Sequence, residues 1–261
     1  MYTLRSVSLS ASMDLSVFFI FVNLKILCMF LIVNTLLTCA TLFGIRYYLS
    51  ICKQRCDSDA DLTGRVVIVT GSNTGIGKET ARALAARNAR VILACRSIER
   101  GQQALQDIIK TTGNSNIVVK ECNLASLRSV RNFAYDFINS ETRLDVLICN
   151  AGTGTPFGRY LTEDGIEMQF QSNHLGHFLL VQLLLDMMRN SAPARIVITS
   201  SLAHRFGNID LTNIARADKY ENHPFLTYCD TKLANVLFMK ELSRILIDTG
   251  ITVNALVRLS I

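Results

Sequence analysis

The sequence predicts an α/β fold, a doubly wound parallel sheet with helices on both faces, preceded by an N-terminal membrane-anchor helix. Three observations support it. Apolar runs of strand length alternate with segments of helical periodicity from Arg65 onward. Those runs are apolar at consecutive positions, as strands buried between two helical layers must be; a strand with one wet face would alternate. Upstream, the 20 residues from Ile26 to Ile45 carry no charge. At about 1.5 Å per helical residue they span roughly 30 Å, the hydrocarbon thickness of a bilayer.

The anchor comes first. "ILCMFLIVNTLLTCATLFGI" follows an apolar lead-in, Leu15 to Leu24, from which Lys25 separates it. The run is too long for the apolar region of a cleaved signal peptide, and no small-x-small cleavage pattern stands out before the charged flank. Residues 1–56 are therefore read as a signal anchor with a basic flank, and residues 57–261 as the folded domain. Arg46, Lys53 and Arg55 follow the span, against Arg5 and Lys25 before it, so the positive-inside tendency favours a cytosolic domain. Cys52 and Cys56, just past the span, are candidates for acylation.

"DSDADLTG", 57–64, is a polar linker. "RVVIVTG" reads as a buried strand ending in glycine, and "GKETARALAARN" as a helix of good helix formers. "ARVILAC" is a second strand, and "SIERGQQALQDIIKTTG" a helix stopped by Gly113. "NIVVKEC" is a third strand, followed by the helix "SLRSVRNFAYDFINSE" with Ser126 as its N-cap. "LDVLICNAG" and "ARIVITSS" are strands four and five. A long apolar-periodic stretch, about Glu163 to Asn190, lies between them. "TYCDTKLANVLF" opens another helix and "ITVNAL" is a sixth strand.

Hydrophobic residues make up 49% of the chain, which excludes a disordered polypeptide. Net charge is +6, but Arg5, Lys25, Arg46, Lys53 and Arg55 against Asp14 put +4 of it in the first 56 residues. The domain carries only +2, which argues against a nucleic-acid surface. Cys95, Cys122, Cys149 and Cys229 have no paired spacing, so neither a disulfide framework nor a zinc site is indicated. They read as small buried hydrophobes.

In parallel sheets of this kind, ligands bind at the carboxyl ends of the strands. "TGSNTGIGKE" follows strand one. Gly71, Gly75 and Gly77 allow a tight turn that brings backbone N–H groups to an anion at a helix N-terminus. After strand two comes "CRS", where Arg96 suits a ribose 2′-phosphate better than a 2′-hydroxyl. Strand four ends in "CNAG" and strand five in Ser200 and Ser201. Asn173 lies inside the "QSNHLGHF" helix, where His174 and His177 read as packed or hydrogen-bonded residues; no cluster completes a metal site. Tyr228 and Lys232, four apart on a helix, share a face.

Together these motifs resemble the short-chain dehydrogenase/reductase family, which has a Rossmann-type fold, over Leu62 to about Leu256. "TGSNTGIG", "CNAG", Asn173, the second serine of "TSS" and "YCDTK" as Y-x-x-x-K match in order. "LACRS", "NHLGHFLL" and "YCDTKLANVLF" look like the retinol dehydrogenase branch. The resemblance implies an NADP(H)-dependent, membrane-anchored oxidoreductase acting on retinoids or other lipophilic alcohols and carbonyls, reduction being favoured. Tyr228 would be the general acid or base. A free tyrosine ionises near pH 10, so Lys232 would supply the charge that favours tyrosinate and would also hold the nicotinamide ribose. Ser201 would bind the substrate oxygen. Asn173 would hold a water linking Lys232 to solvent. Thr70, Gly71, Ser72, Asn73, Thr74, Gly75, Ile76, Gly77, Arg96, Asn150, Ala151 and Gly152 would line the cofactor groove, with Asn123 and Leu124 near the adenine. The endoplasmic reticulum is the expected membrane, with a mitochondrial membrane second, and a homodimer is left open.

Three departures from the family pattern stand out. Asn123 replaces the usual Asp after strand three. Cys149 replaces Asn at the head of "CNAG". The chain ends at "NALVRLSI", before the family's nicotinamide-covering turn, substrate-covering helices and last strand, which would leave strand six as an exposed edge. The alternative expectation is accordingly a truncated, inactive form that only binds cofactor or a partner.

Overall fold

The computed structural model describes residues 15–51, 58–154, 160–210 and 223–258. It divides into two compact units, Met1–Ser58 and Asp59–Ile261. Arg5, Cys52, Lys53, Arg55 and Cys56, on which the acylation and orientation expectations rest, lie outside the described residues, as do residues 211–222 between Ser201 and Tyr228.

Among its described residues the first unit holds one helix, α1 (Leu15–Ile51). Its stretch Asn23–Tyr48 has a mean hydropathy of 2.3 and is long and apolar enough to cross a membrane. Uncharged polar side chains in its middle turn back onto the helix. Thr35 Oγ1 donates to Leu31 O at 2.7 Å, Thr38 Oγ1 to Asn34 O at 2.6 Å and Asn34 Nδ2 to Phe30 O at 2.9 Å. In hydrocarbon no water can satisfy such groups, so internal pairing is what a spanning helix needs.

The second unit alternates as the sequence predicts. β1 (Val66–Thr70) leads to α2 (Gly75–Ala85), β2 (Arg90–Cys95) to α3 (Ile98–Thr112), and β3 (Ile117–Glu121) to α4 (Leu127–Ser140). β4 (Val146–Cys149) follows. Ser126 caps α4 by accepting from Ser129 N, and Gly113 ends α3 in the left-handed region at φ 74°. All strands are parallel, in the order β3-β2-β1-β4-β5-β6, with β5 (Ala194–Ser201) and β6 (Ile251–Arg258). The direction of winding reverses between β1 and β4, so a ligand crevice is expected at their carboxyl ends.

Alternate residues of β1 to β4 feed two cores. Ile68 and Leu147 pack with Phe133, Phe137, Leu180 and Met188 on one face; Val67, Val69 and Leu93 pack with Ala81, Ala85 and Ile108 on the other. Among the described residues β6 pairs with β5 along its whole length and forms one edge of the sheet, β3 the other, with Leu256 and Val257 exposed.

The stretch between β4 and β5 departs from a single long helix. The helix starts later than its apolar period suggests, because the Glu167 carboxylate accepts from Gln169 N at 3.0 Å and Phe170 N at 2.6 Å and so sets the first turn. A short α5 (Met168–Phe170) passes into a π-turn, Gln171–Leu175, and then α6 (Gly176–Asn190). Asn173 sits in that wider turn rather than in a regular helix. After β5 come a 3₁₀ turn, Leu202–Phe206, and α7 (Pro224–Ile245), with proline in its first turn.

Candidate active site

The turn after β1 is built around two glycines. Gly71 has φ 64°, and a Cβ there would lie 2.9 Å from Ala151. Gly77, one turn into α2, has no room for a side chain: a Cβ would clash with Gly71 O and lie 2.5 Å from Asn150 Nδ2. The loop is therefore drawn tightly under the start of α2. Thr74, the N-cap residue, makes no side-chain cap, so the first N–H groups of α2 remain available to an anion.

Next to this turn, at the reversal between β1 and β4, lies a cleft of about 470 Å³. Of the residues that the sequence assigns to a cofactor groove, Gly71, Asn73, Arg96, Asn123, Leu124, Ala151 and Gly152 line it. Thr74, Gly75 and Ile76 are exposed beside Asn73. Three expected groove residues serve otherwise. Thr70 and Ser72 are buried, and Ser72 Oγ lies 3.5 Å from Cys95 Sγ. Asn150 turns its amide away and donates from Nδ2 to Thr70 O at 2.9 Å, joining β4 to β1. These three side chains shape the groove from behind, because the backbone turns they fix would otherwise carry unpaired buried groups.

Arg100, Tyr160 and Ser172 also line the cleft and were not singled out by the sequence reading. Arg100 had a signal: it stands in the first turn of the helix that opens directly after Arg96, capped by Ser97. A wider depression of about 710 Å³ runs over β3 and α4. Lys120, Glu121, Arg128 and Asp136 border it, and Asn123 is the one predicted site residue in it. Asn123 Oδ1 accepts from Ala125 N at 3.1 Å, an Asx turn that the usual Asp would also form. Cys149 is fully buried, and burial raises its thiol far above the ordinary range; at the head of "CNAG" it serves as a small core residue.

The proton-transfer candidates gather on α7 and the π-turn. Tyr228 is half-buried, and Lys232, one turn on, is 3% exposed. Lys232 Nζ lies 5.4 Å from the centre of the Tyr228 ring and donates to Thr199 O at 3.2 Å. Burial lowers its pKa to about 8. A Cβ on Gly152 would lie 3.4 Å from Lys232 Nζ and 3.5 Å from Asn173 Oδ1. Lysine, asparagine and groove wall therefore meet at one point.

Asn173 is buried and its amide is largely engaged. Nδ2 donates to Thr153 O at 2.9 Å and Thr231 Oγ1 at 3.2 Å, and Oδ1 accepts from Thr153 N at 2.7 Å. Both amide hydrogens are thus taken, and a second lone pair on Oδ1 remains for a water. Ser200 donates to Lys232 O at 2.9 Å and supports α7. Ser201 is half-buried and accepts from Ala203 N at 3.3 Å. His174 Nδ1 pairs with Asn235 Oδ1 at 2.9 Å; Asn235 Nδ2 in turn donates to Asn173 O at 3.1 Å. Asn235, buried in "LANVLF", is a supporting residue the sequence reading missed.

The short chain dehydrogenase family model matches residues 65–258. The chain belongs to the short-chain dehydrogenase family. Its similarity falls in the retinol dehydrogenase branch. It is 50% identical over 198 residues to Retinol dehydrogenase 11 of Homo sapiens, covering 76% of this chain and 61% of that protein. With Retinol dehydrogenase 13 of Homo sapiens it is 51% identical over 202 residues, covering 77% and 60%. The chain thus spans about 60% of the length of these curated relatives. Among solved structures, the Pseudomonas aeruginosa RhlG/NADP active-site complex matches with a TM-score of 0.60 and 28% identity, covering 75% of this chain and 72% of that one. In this short-chain dehydrogenase the glycine turn, the "CNAG" wall and the Tyr228–Lys232 pair of the family motifs border one region.

Proposed function

We propose that the chain is an NADP(H)-dependent oxidoreductase that interconverts a lipophilic alcohol and its aldehyde or ketone, with retinal reduction as the leading activity. The observation that carries the reading is the meeting of Lys232 Nζ and Asn173 Oδ1 over Gly152, with the Tyr228 ring 5.4 Å from the same ammonium. The groove fits a dinucleotide: α2 presents uncapped N–H groups to a pyrophosphate, and Arg96 and Arg100 border the cleft where a 2′-phosphate would be bound. Similarity to proteins named retinol dehydrogenases and to an NADP complex supports the same reading. When bound, the cofactor would supply or accept the hydride.

The chain's own groups would then handle the proton. Tyr228 would protonate the carbonyl oxygen during reduction, and Ser201 would donate a hydrogen bond to it. Lys232 would favour the tyrosinate left behind and hold the ribose hydroxyls. Asn173 would hold the loop after β4 against α7 and offer Oδ1 to a relaying water. The proposed setting is the endoplasmic reticulum membrane, anchored by α1 with the domain on the cytosolic side; protease protection of sealed microsomes tests it. Light scattering of the solubilised chain tests for a homodimer.

The decisive assay follows NADPH oxidation with retinal, using the full chain in detergent. Turnover in the wild type and a roughly hundred- to ten-thousandfold loss in Tyr228→Phe are expected. No turnover in either rejects the enzymatic reading. Since the chain covers about 60% of its curated relatives, the second reading is cofactor binding without turnover, and NADPH titration separates the two.

A further inference from the structure

Behind the groove runs a chain of buried groups that pairs unusually completely. Its centre is His177, in the first turn of α6 and 2% exposed. Nδ1 lies 3.3 Å from the main-chain oxygen of Asn173, and Nε2 lies 2.8 Å from Thr70 Oγ1. A carbonyl oxygen only accepts, so Nδ1 must carry hydrogen. In the neutral ring Nε2 is then an acceptor, and the Thr70 hydroxyl donates to it. The two lone pairs of that hydroxyl accept from Asn150 N at 2.9 Å and Ala151 N at 3.0 Å. One hydrogen and two lone pairs are each used once. Ile148 O, at 3.3 Å, is the longer alternative for the hydroxyl hydrogen.

We infer that His177 is a positioning residue: as the neutral Nδ1–H tautomer it acts through Thr70 to hold the Asn150–Gly152 wall of the groove in register with Asn173 and Lys232. The inference rests on reading that groove as the dinucleotide site. The wall is tied down at both ends. Thr70 holds its first two N–H groups, and the Asn173 amide clasps Thr153 just beyond it. His177 joins the two ties, bonded to the Asn173 backbone by one nitrogen and to Thr70 by the other. Without an acceptor at the Nε2 position, the Thr70 hydroxyl would rotate toward Ile148 O, and the direction of its lone pairs toward the wall would no longer be fixed. The surroundings favour the neutral ring. Burial holds the His177 pKa down at about 4, and Lys232 and His174 press in the same direction against the Asn173 carbonyl.

The two ring edges can be replaced separately. His177→Asn keeps a donor near the Nδ1 position and loses the partner of Thr70. His177→Gln puts a carbonyl oxygen near the Nε2 position and restores an acceptor. NADPH binding to the full chain in detergent is read by nucleotide fluorescence, alongside the thermal midpoint. His177→Asn is expected to weaken binding about tenfold, the worth of one hydrogen bond. His177→Gln is expected to recover most of that loss even where both midpoints fall alike. Wild-type affinity in both variants, or a Gln variant no better than Asn, overturns the inference. A wild type that does not bind NADPH overturns the groove reading itself, and is recognised before any variant is made. Should the variants fail to fold, nitrogen-15 chemical shifts of His177 in the wild type decide. The neutral Nδ1–H pattern is expected, and an Nε2–H or doubly protonated ring refutes it.

Discussion

Replacing Lys232 with methionine should stabilise the cofactor-free domain while abolishing turnover. Lys232 is buried and donates to Thr199 O at 3.2 Å, and among the described residues no carboxylate pairs with it. Burial lowers its pKa from 10.5 to about 8. At about 1.4 kcal/mol per pH unit, keeping the charge in place costs about 3 kcal/mol. The folded pKa lies below the unfolded one, so between pH 8 and 10.5 the unfolded chain binds more protons and stability rises with pH. Below pH 8 the whole penalty is present. Methionine keeps the apolar stem and removes the charge, and Asn235 Nδ2 still reaches Thr199 O at 3.4 Å. A gain of roughly 1–3 kcal/mol at pH 7 is expected, since the protein relaxes around a buried charge. Urea midpoints of wild type and Lys232→Met, measured from pH 7 to 10, make the test. The two curves should converge as pH rises, and the difference cancels the other titrating groups. A variant less stable than wild type at pH 7, or a difference that does not shrink with pH, refutes the argument.

Three further outcomes follow from the geometry. Gly77→Ala should lower stability by roughly 1–3 kcal/mol, since its Cβ meets Gly71 O and Asn150 Nδ2; it should also abolish NADPH binding, measured by titration. Arg96→Ala with Arg100→Ala should weaken NADPH roughly 10- to 100-fold and leave NADH nearly unchanged, because charge-assisted bonds to the 2′-phosphate are lost; parallel titrations of the two nucleotides check it. Acid should weaken the fold through His177. Its folded pKa, about 4, lies below the unfolded 6.5, so its contribution is fully present above pH 6.5 and is lost as pH falls toward 4. Denaturation midpoints of wild type should drop across that window, and those of His177→Gln should drop less.

Much of the fold can be read along the chain because its signals are local. Consecutive apolar residues mark strands buried on both faces, Ser126 and Gly113 mark helix ends, and the glycine turn declares an anion site by the geometry it permits. What could not be read depends on partners far away. Glu167 decides where the helix after β4 begins, and the π-turn that carries Asn173 has no distinct apolar period. Ser72 and Asn150 sit in the expected motifs, but their side chains face the protein rather than the groove. Thr70 meets His177 across 107 positions and Asn173 meets Asn235 across 62; no periodicity reaches that far.

By itself the sequence determined a membrane-length apolar helix, a six-strand parallel order of elements, and the kinds of side chain at each strand end. Hydrophobic period and glycine chemistry act over a few residues, so composition and spacing suffice for them. Only the tertiary structure decided which of those side chains point into the cleft, which hold it from behind, and that Lys232 is buried beside Tyr228 and Gly152. The reason is that burial and hydrogen-bond pairing belong to the packed sheet and its helices, and take their values only when segments distant in sequence are brought together.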